Sequence, residues 1–171
     1  MSYIHSFPEV SEPAADRLIL GSMPGKASLA AGQYYAHPRN FFWRIIETLF
    51  DIPADLPYEE RCQRLAEQGV ALWDVLRTCT RSSSLDSDIL EASIVPQDFE
   101  GFLRAHPRIG VIFFNGAKAE SVWRRHVAPA LPDGLAAIPT VRLPSTSPAN
   151  ASIPYPVKLR QWQAISTVKS R

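Results

Sequence analysis

The stretch LILGSMPG, residues 18 to 25, decides the fold of this chain. It begins as an apolar run typical of a buried strand and stops in a turn, residues 21–25, that holds two glycines and a proline. Such a turn leaves little room for side chains and indicates that another group approaches the backbone. It lacks the Gly-Lys-Ser/Thr of a P-loop and the Gly-x-Gly-x-x-Gly of a dinucleotide-binding turn. Taken alone, it is best interpreted as a structural turn.

Four short apolar runs in the chain end in turn residues, and helical patterns lie between them. The runs are Arg17–Gly21, Val70–Asp74, Val111–Asn115 and residues 140–144. Continuous apolar runs are typical of strands covered on both faces, as in a parallel sheet. Strand–helix alternation predicts an α/β sandwich, in which ligands bind at the carboxyl ends of the strands.

Apolar spacing and capping residues predict five helices. The first begins at Phe41 with Asn40 as its N-cap, and the second has Gly69 as its C-cap. The helices are predicted to start at Phe41, to span 58–68, to run from Phe99 to about His106, and to span 117–126 and 157–168.

Size and composition favour one globular domain over residues 1–171, since 46% of the residues are hydrophobic. The net charge is only +1, from 18 basic and 17 acidic side chains. The charge is unevenly placed, because residues 134–171 hold five basic and no acidic side chains, which leaves a net of −4 (13 basic, 17 acidic) on the first 133. This positive section is either a phosphate-facing surface or a solvated surface that lacks acids.

Several classes of protein are disfavoured by what the sequence lacks. Two cysteines, Cys62 and Cys79, suit neither a disulfide framework nor a four-cysteine metal site, and the four histidines show no ligand spacing. No apolar run reaches the roughly 20 residues of a membrane span, and no signal peptide is visible. We therefore expect a cytoplasmic monomer without metal or cofactor.

Two polar loops are candidates for chemistry. The stretch GQYYAHPRNFFW, residues 32 to 43, carries tyrosines that can face a planar ligand, although Asn40 can equally be only a helix cap. The stretch LPSTSPAN, residues 143 to 150, offers hydroxyls and backbone amides that can hold a phosphate, or it is an ordinary turn.

Taken together and in order, these motifs resemble the uracil–DNA glycosylase superfamily. The motifs are GSMPG, YYAHPRNFFW, QGVALWDV, VIFFNGAKA and LPSTSPAN, over roughly residues 17 to 155. The resemblance is closest to the hypoxanthine–DNA (deoxyinosine) glycosylase branch, and AHPRNFFW is also similar to the mismatch-specific uracil/thymine glycosylases. With the strand–helix alternation, it predicts a three-layer αβα sandwich around a four-stranded, mainly parallel sheet ordered 2-1-3-4.

The resemblance also implies site residues. In the superfamily the first turn faces a base flipped out of DNA and carries an Asp or Asn that positions water; here Met23, or Ser22 if the alignment slips by one, stands there. The hypoxanthine branch points to Asn40 for the water instead. Tyr35 matches the aromatic that stacks on the base. Asp74 stands where relatives place a base-reading amide.

Recognition of the base and of the DNA backbone is assigned to further residues. Asn115 can donate and accept, which suits the N1–H and O6 edge of hypoxanthine, while Asp74 can instead be a structural carboxylate that orders the loop TRSSSLDS. Leu143 replaces a histidine found in many relatives. The residues expected to contact DNA are Ser145, Thr146, Ser147, Pro148, Asn150, Lys158 and Arg160.

These expectations amount to a monofunctional glycosylase that flips out and hydrolytically excises a deaminated base, with hypoxanthine ahead of uracil and xanthine. Met23 and Leu143 leave open a non-catalytic nucleic-acid-binding domain of the same fold. A small α/β hydrolase unrelated to DNA is the other alternative, although the chain has no Gly-x-Ser-x-Gly elbow.

Overall fold

The computed structural model describes residues 2–167 and contains two sheets and seven α-helices in that range. The strands are β1 (Ser2–His5), β2 (Arg17–Gly21), β3 (Val70–Asp74), β4 (Leu76–Arg81), β5 (Val95–Pro96), β6 (Val111–Asn115) and β7 (Thr140–Leu143). The helices are α1 (Lys26–Ala31), α2 (Phe42–Phe50), α3 (Tyr58–Glu67), α4 (Phe99–Ala105), α5 (Ala117–Val122), α6 (Asp133–Ala136) and α7 (Tyr155–Trp162).

The main sheet has four parallel strands in the order β3-β2-β6-β7. Counted along the four predicted runs, this is the order 2-1-3-4, so the predicted sheet is confirmed. Strand β2 lies at its centre, where all five of its residues are buried. The turn at residues 21–25 therefore leaves the sheet in the middle of its carboxyl edge.

Helices cover both faces of this sheet, which confirms the three-layer sandwich. Alternate residues of β2 point to opposite faces, so Leu18 and Leu20 join one buried cluster and Ile19 joins the other. The first cluster includes the helical residues Phe99, Phe102 and Trp123; the second includes Phe42, Ile45, Leu65 and Trp162.

A second, antiparallel sheet of order β1-β4-β5 was not predicted. Its central strand, β4, follows β3 after a single residue and pairs with β1 in the register Ser2 to Arg81. Neither β1 nor β5 carries an apolar run, so only tertiary pairing identifies them as strands.

Strand β7 and three helix ends differ from the predictions. Strand β7 is an edge strand with only Leu143 buried, because residues 140–142 face solvent rather than a second helix layer. The α-helix predicted over 117–126 ends at Val122 and continues as a π-helical turn, Trp123–Val127. Helix α7 begins at Tyr155 and ends at Trp162, with a 3₁₀ turn after it, and the predicted end at Val168 lies outside the described residues.

Candidate active site

The carboxyl ends of the parallel strands open into a cleft of about 450 Å³. Three segments form most of its wall: the turn 21–25, the loop 34–40 and the loop 145–150. Eleven of the thirteen predicted site residues lie in this wall, namely Ser22, Met23, Tyr35, Asn40, Asp74, Asn115, Ser145, Thr146, Ser147, Pro148 and Asn150. The fold therefore brings these residues together, as expected for polar groups at one edge of a parallel sheet.

Gly21 is the point at which other groups approach the backbone most closely. A Cβ atom at this position would lie 2.5 Å from Asp74 Oδ1 and 2.8 Å from the Tyr35 hydroxyl oxygen. Both distances are too short for non-bonded atoms, so only glycine fits. The glycine-rich turn thus makes room for a carboxylate and a phenol at the floor of the cleft.

These two side chains leave buried polar atoms without partners. Neither Asp74 Oδ2 nor the Tyr35 hydroxyl makes a hydrogen bond of normal geometry with a described residue, although the Asn115 side chain is near enough to the Tyr35 hydroxyl to lower its pKa. Tyr35 also has a φ of 57°, in the left-handed region, and its ring packs on Phe42 with centroids 4.2 Å apart. A buried polar atom without a partner costs about 1–3 kcal/mol, so two such atoms in one cleft indicate a site for a polar ligand.

Burial controls the ionisation of both groups. It raises the pKa of Asp74 to about 7, helped by the negative charge of Asp86 and opposed by the positive charge of Arg81. The pKa of Tyr35 also rises, first through burial and then through the charge of Asp74. The floor of the cleft therefore holds a neutral phenol beside a carboxyl group that titrates near neutral pH.

The loop 82–88 closes over the turn 21–25 and was not recognised as part of the site. The backbone N–H of Lys26 donates to Ser84 Oγ over 2.9 Å. The buried side chain of Arg81, at the end of β4, donates from Nη2 to the Pro24 carbonyl over 2.6 Å, while its Nε and Nη1 have no partner among residues 2–167. A polar loop of serines and aspartates thus becomes one wall of the cleft.

Asp86 is the acidic residue that this loop brings into the cleft. Its Oδ1 accepts a hydrogen bond of 2.6 Å from the Ser22 hydroxyl. Burial raises the pKa of Asp86, while the bond from Ser22 and the charge of Arg81 oppose that rise. Asp74, by contrast, makes no hydrogen bond to this loop within the described residues, so the alternative in which it orders TRSSSLDS gains no support from the contacts.

Asn115 and Thr146 are joined by two hydrogen bonds. Asn115 Nδ2 donates to Thr146 Oγ1, and the backbone N–H of Thr146 donates to Asn115 Oδ1, each over 3.0 Å. The Thr146 carbonyl also accepts from the N–H of Phe41. Thr146 is fully buried, so the prediction that its hydroxyl faces phosphate is wrong; it fixes the loop instead. Asn115 keeps one N–H and one lone pair for a ligand.

The N-cap of α2 is Phe41 rather than the predicted Asn40, and Asn40 supports the start of the helix from the residue before it. Its Oδ1 accepts from the backbone N–H of Phe42 over 2.9 Å, and α2 begins at Phe42 rather than at Phe41. The side chain also lies in the cleft wall, where Nδ2 makes no hydrogen bond to a described residue. Capping and a role towards a ligand are therefore compatible.

The sequence profile of the Uracil DNA glycosylase superfamily matches residues 7–165. The chain belongs to this superfamily. The hypoxanthine DNA glycosylase of Methanosarcina acetivorans is 37% identical over 114 residues, which is 66% of this chain and 71% of that protein. The enzyme of the same name from Methanosarcina barkeri is 34% identical over 116 residues, again 66% and 71%. A solution NMR structure from M. acetivorans, provisionally named a uracil DNA glycosylase, superposes with a TM-score of 0.78 at 32% identity, covering 96% of this chain and 97% of that one.

Two residues that were predicted to contact DNA, Lys158 and Arg160, do not line the cleft. Lys158 is buried, with Nζ 5.3 Å from the centroid of the Phe41 ring, and burial lowers its pKa. The prediction that it belongs to an exposed charged surface is wrong, because its stem packs into the fold beside α2. It lines a second groove of about 270 Å³, which shares Ser147, Pro148 and Asn150 with the cleft. Arg160 is exposed and lines neither.

Residues 2–167 form neither a cluster of metal-ligating side chains nor a membrane-spanning helix. Among residues 2–167, no group of three or more His, Cys, Asp or Glu side chains is placed to hold a metal ion. In the same range no helix has the length and apolarity needed to cross a membrane.

Proposed function

We propose that this DNA glycosylase excises hypoxanthine from DNA by hydrolysis, leaving an abasic site. The observation that carries the proposal is the pair of unpartnered polar atoms, Asp74 Oδ2 and the Tyr35 hydroxyl, at the floor of the cleft. The choice of hypoxanthine among deaminated bases is supported by the two Methanosarcina relatives, both named hypoxanthine DNA glycosylase.

The chemistry of these atoms suits the edge of hypoxanthine. The base presents an N1–H donor next to an O6 acceptor. An ionised Asp74 accepts from N1–H, and the neutral Tyr35 hydroxyl donates to O6. Both bonds give a partner to a buried polar atom, so the base is held by groups whose burial is otherwise unfavourable. Asn115 is assigned to the recognition set through its remaining N–H and lone pair.

Base flipping is part of the proposal, because the floor of the cleft is out of reach of a base stacked in a duplex. Extruding a nucleotide costs a few kcal/mol, and a mispaired hypoxanthine costs less than a normal base. Phe42 packs on the Tyr35 ring, and a ring that donates from its hydroxyl to the edge of the base cannot also lie flat on that base, so in this proposal the edge contact takes the place of the predicted stacking. The loop 145–150, held by Asn115, then flanks the backbone of the extruded nucleotide through Ser145, Ser147, Pro148 and Asn150.

Cleavage of the N-glycosidic bond passes through an oxocarbenium-like sugar, as glycoside cleavage does. The departing base takes the electron pair, and polar groups at its edge stabilise that charge. Asn40 is assigned to orienting the attacking water, using the side of its amide that does not bind the Phe42 N–H. A neutral amide orients water but is a very poor base.

The substrate is tested with duplexes that contain inosine, uracil or xanthine, followed by alkaline cleavage of abasic sites. Excision of hypoxanthine fastest, with no strand cleavage before alkali, is the expected result. Cleavage before alkali would contradict the monofunctional assignment. Binding of inosine duplex without any excision would favour the non-catalytic binding domain instead.

The role of Asn40 is tested with two variants and single-turnover kinetics on inosine duplex. Asn40→Ala should slow the chemical step by about 10²-fold or more, the scale of a positioned catalytic group, and lower stability by about 1 kcal/mol through the lost cap. Asn40→Asp keeps the acceptor for the Phe42 N–H and should restore stability and part of the rate. A folded Asn40→Ala with a near wild-type rate would remove the catalytic assignment.

The remaining expectations belong to the same proposal: one cooperative domain over residues 1–171, a monomer, action in the cytoplasm, and activity without metal or cofactor. Sedimentation tests the monomer, and coincident unfolding transitions by two probes test the single domain. Excision after exhaustive chelation tests the activity without metal.

A further inference from the structure

Hydrolysis needs a group that takes a proton from the attacking water, and the first turn does not supply one. Met23 has a thioether, which accepts protons poorly. Four of the turn's five carbonyls already accept a hydrogen bond: those of Gly21 and Ser22 from Val75 and Leu76, that of Pro24 from Arg81, and that of Gly25 from Leu29. A carbonyl oxygen can still orient water through its second lone pair, but it is too weak a base to take a proton from it.

Asp86 reaches this position from another part of the chain. Its Oδ1 is fixed by the Ser22 hydroxyl over 2.6 Å, and the residue lies in the cleft wall. Its second oxygen, Oδ2, accepts no hydrogen bond from a described residue, and no Lys, Arg or His in residues 2–167 forms an ion pair with the carboxylate. One oxygen is thus anchored on the turn and the other is available.

The anchoring contacts are more than are needed to close a surface loop. The loop 82–88 is already tied to the turn through Ser84 and the neighbouring Arg81. A carboxylate added to such a clamp is unfavourable for folding, because it is desolvated and the positive charges of Arg81 and Lys118 act on it only from beyond ion-pair distance. The same placement is favourable for a reaction that develops positive charge on a sugar in the cleft.

We propose that the Asp86 carboxylate, positioned by Ser22, is the proton acceptor for the attacking water and the counter-charge for the sugar cation. This rests on the proposed glycosylase function. The bond between the base nitrogen and C1′ breaks, and its electron pair leaves with the base. The water oxygen bonds to C1′, and one water proton passes to Asp86 Oδ2. The base anion takes up a proton from solvent, and Asp86 returns its own to solvent. Asn40 then orients the water that Asp86 deprotonates.

A matched pair of aspartates in one loop makes the test sharp. Asp86 Oδ1 accepts from Ser22, and Asp88 Oδ2 accepts from Ser83 over the same 2.6 Å, but Asp88 is not part of the cleft wall. Asp86→Asn and Asp88→Asn each keep an oxygen that accepts the serine hydroxyl. Each removes one negative charge, so only the position of the charge differs.

The experiment measures three quantities for wild type and both variants: single-turnover excision from inosine duplex, Kd for a duplex with 2′-fluoro-deoxyinosine that resists cleavage, and Tm. Asp86→Asn should slow excision by about 10²-fold, since a positioned proton acceptor contributes about 10²–10⁴-fold. Its Kd should stay unchanged or tighten, because a negative charge facing DNA is gone. Asp88→Asn should stay within about twofold of wild type in rate.

Three results would overturn the assignment of Asp86: a rate for Asp86→Asn within about threefold of wild type, parallel losses of rate, affinity and Tm, or an equal loss in Asp88→Asn. The parallel losses would mean that Asp86 is structural, and the equal loss that loop shape matters rather than the charge. Failure of the wild type to excise any base would instead overturn the proposed function, and with it this inference.

Discussion

Gly21 shows how a single missing side chain shapes the site. In Gly21→Ala the new Cβ would lie 2.5 Å from Asp74 Oδ1 and 2.8 Å from the Tyr35 hydroxyl, so both groups must shift. We expect excision to fall by at least about tenfold and stability by about 1–3 kcal/mol, as in other overpacked sites. Single-turnover kinetics and denaturant unfolding measure the two effects.

Gly134→Ala is the matched control for this substitution. Apart from its chain neighbours and the backbone of its own helix, α6, no heavy atom of the described residues lies within 4 Å of a Cβ at that position. Alanine there should leave excision unchanged and stability equal or higher by up to about 1 kcal/mol. Equal behaviour of the two variants would contradict the steric account of the turn.

Asp74 gives stability a predictable pH dependence. Its pKa is about 7 in the folded protein and about 3.9 when unfolded, so the folded state binds the proton more tightly. The stability contributed by the neutral carboxyl is fully present below about pH 4 and is lost as pH rises to about 7. Asp74→Asn cannot ionise, so its Tm should match that of wild type near pH 4 and exceed it at pH 8.

The size of that gain reports on the burial of the charge. A shift of this extent corresponds to about 2–4 kcal/mol at pH 8. The exposed Asp55→Asn serves as the control, with a Tm difference from wild type that stays small at both pH values. A gain for Asp74→Asn that is equal at pH 4 and pH 8 would show that the carboxyl is not the titrating group.

The loop after β7 acquires its shape through one buried threonine. Thr146→Val removes the acceptor for Asn115 Nδ2 but keeps the backbone N–H that bonds to Asn115 Oδ1. Leaving one buried donor unpaired should lower the free energy of unfolding by about 1–3 kcal/mol and weaken DNA binding, because the loop is less fixed. Thr140→Val, on the exposed edge of β7, is the control and should change stability by less than about 0.5 kcal/mol.

The elements that sequence could predict are those with a local signal. The four parallel strands carry continuous apolar runs, and their order followed once the family resemblance was added. Strand β4, LRTCTR, pairs with β1, whose four residues SYIH are too few to identify a strand by themselves. That sheet therefore depends on contacts about 75 residues apart. Asp86 was not predicted as a site residue for the same reason. The bridge between Arg81 and Ile89 folds a polar loop back over the turn, and nothing in SSSLDS specifies that pairing.

At the scale of the whole molecule, the positive C-terminal section does not form one surface in the described residues. Lys158 is buried, Arg142 lies 3.7 Å from Glu120, and Arg160 is exposed away from both grooves, while Lys169 and Arg171 lie outside the described range. The charge of +5 on this section can be read from the sequence, but which of its cations are exposed to solvent depends on packing.

The second groove is the place where basic groups meet the cleft. It holds Arg39 and Lys158 beside the shared residues of the loop 145–150, and no acidic side chain is part of its wall in the range 2–167. A DNA strand that leaves the cleft along this groove would place phosphates near the exposed Arg39. Each phosphate that a cation neutralises adds about 0.9 to the slope of log K against log salt.

Arg39→Gln should therefore flatten that slope by about 0.9 while leaving single-turnover excision at saturating enzyme intact. Lys158→Met should leave the slope unchanged, because the Lys158 side chain is buried. Methionine replaces lysine here because it fills the buried space without charge, whereas charge reversal would test packing instead. Arg160→Gln tests the prediction that α7 presents an exposed basic face to DNA. Arg104→Gln is the control, because Arg104 lies in the last turn of α4, near the amino edge of the sheet and away from the cleft. A flatter slope only for Arg160→Gln would place the DNA backbone along α7, and unchanged slopes for all four variants would mean that these cations do not contact phosphate.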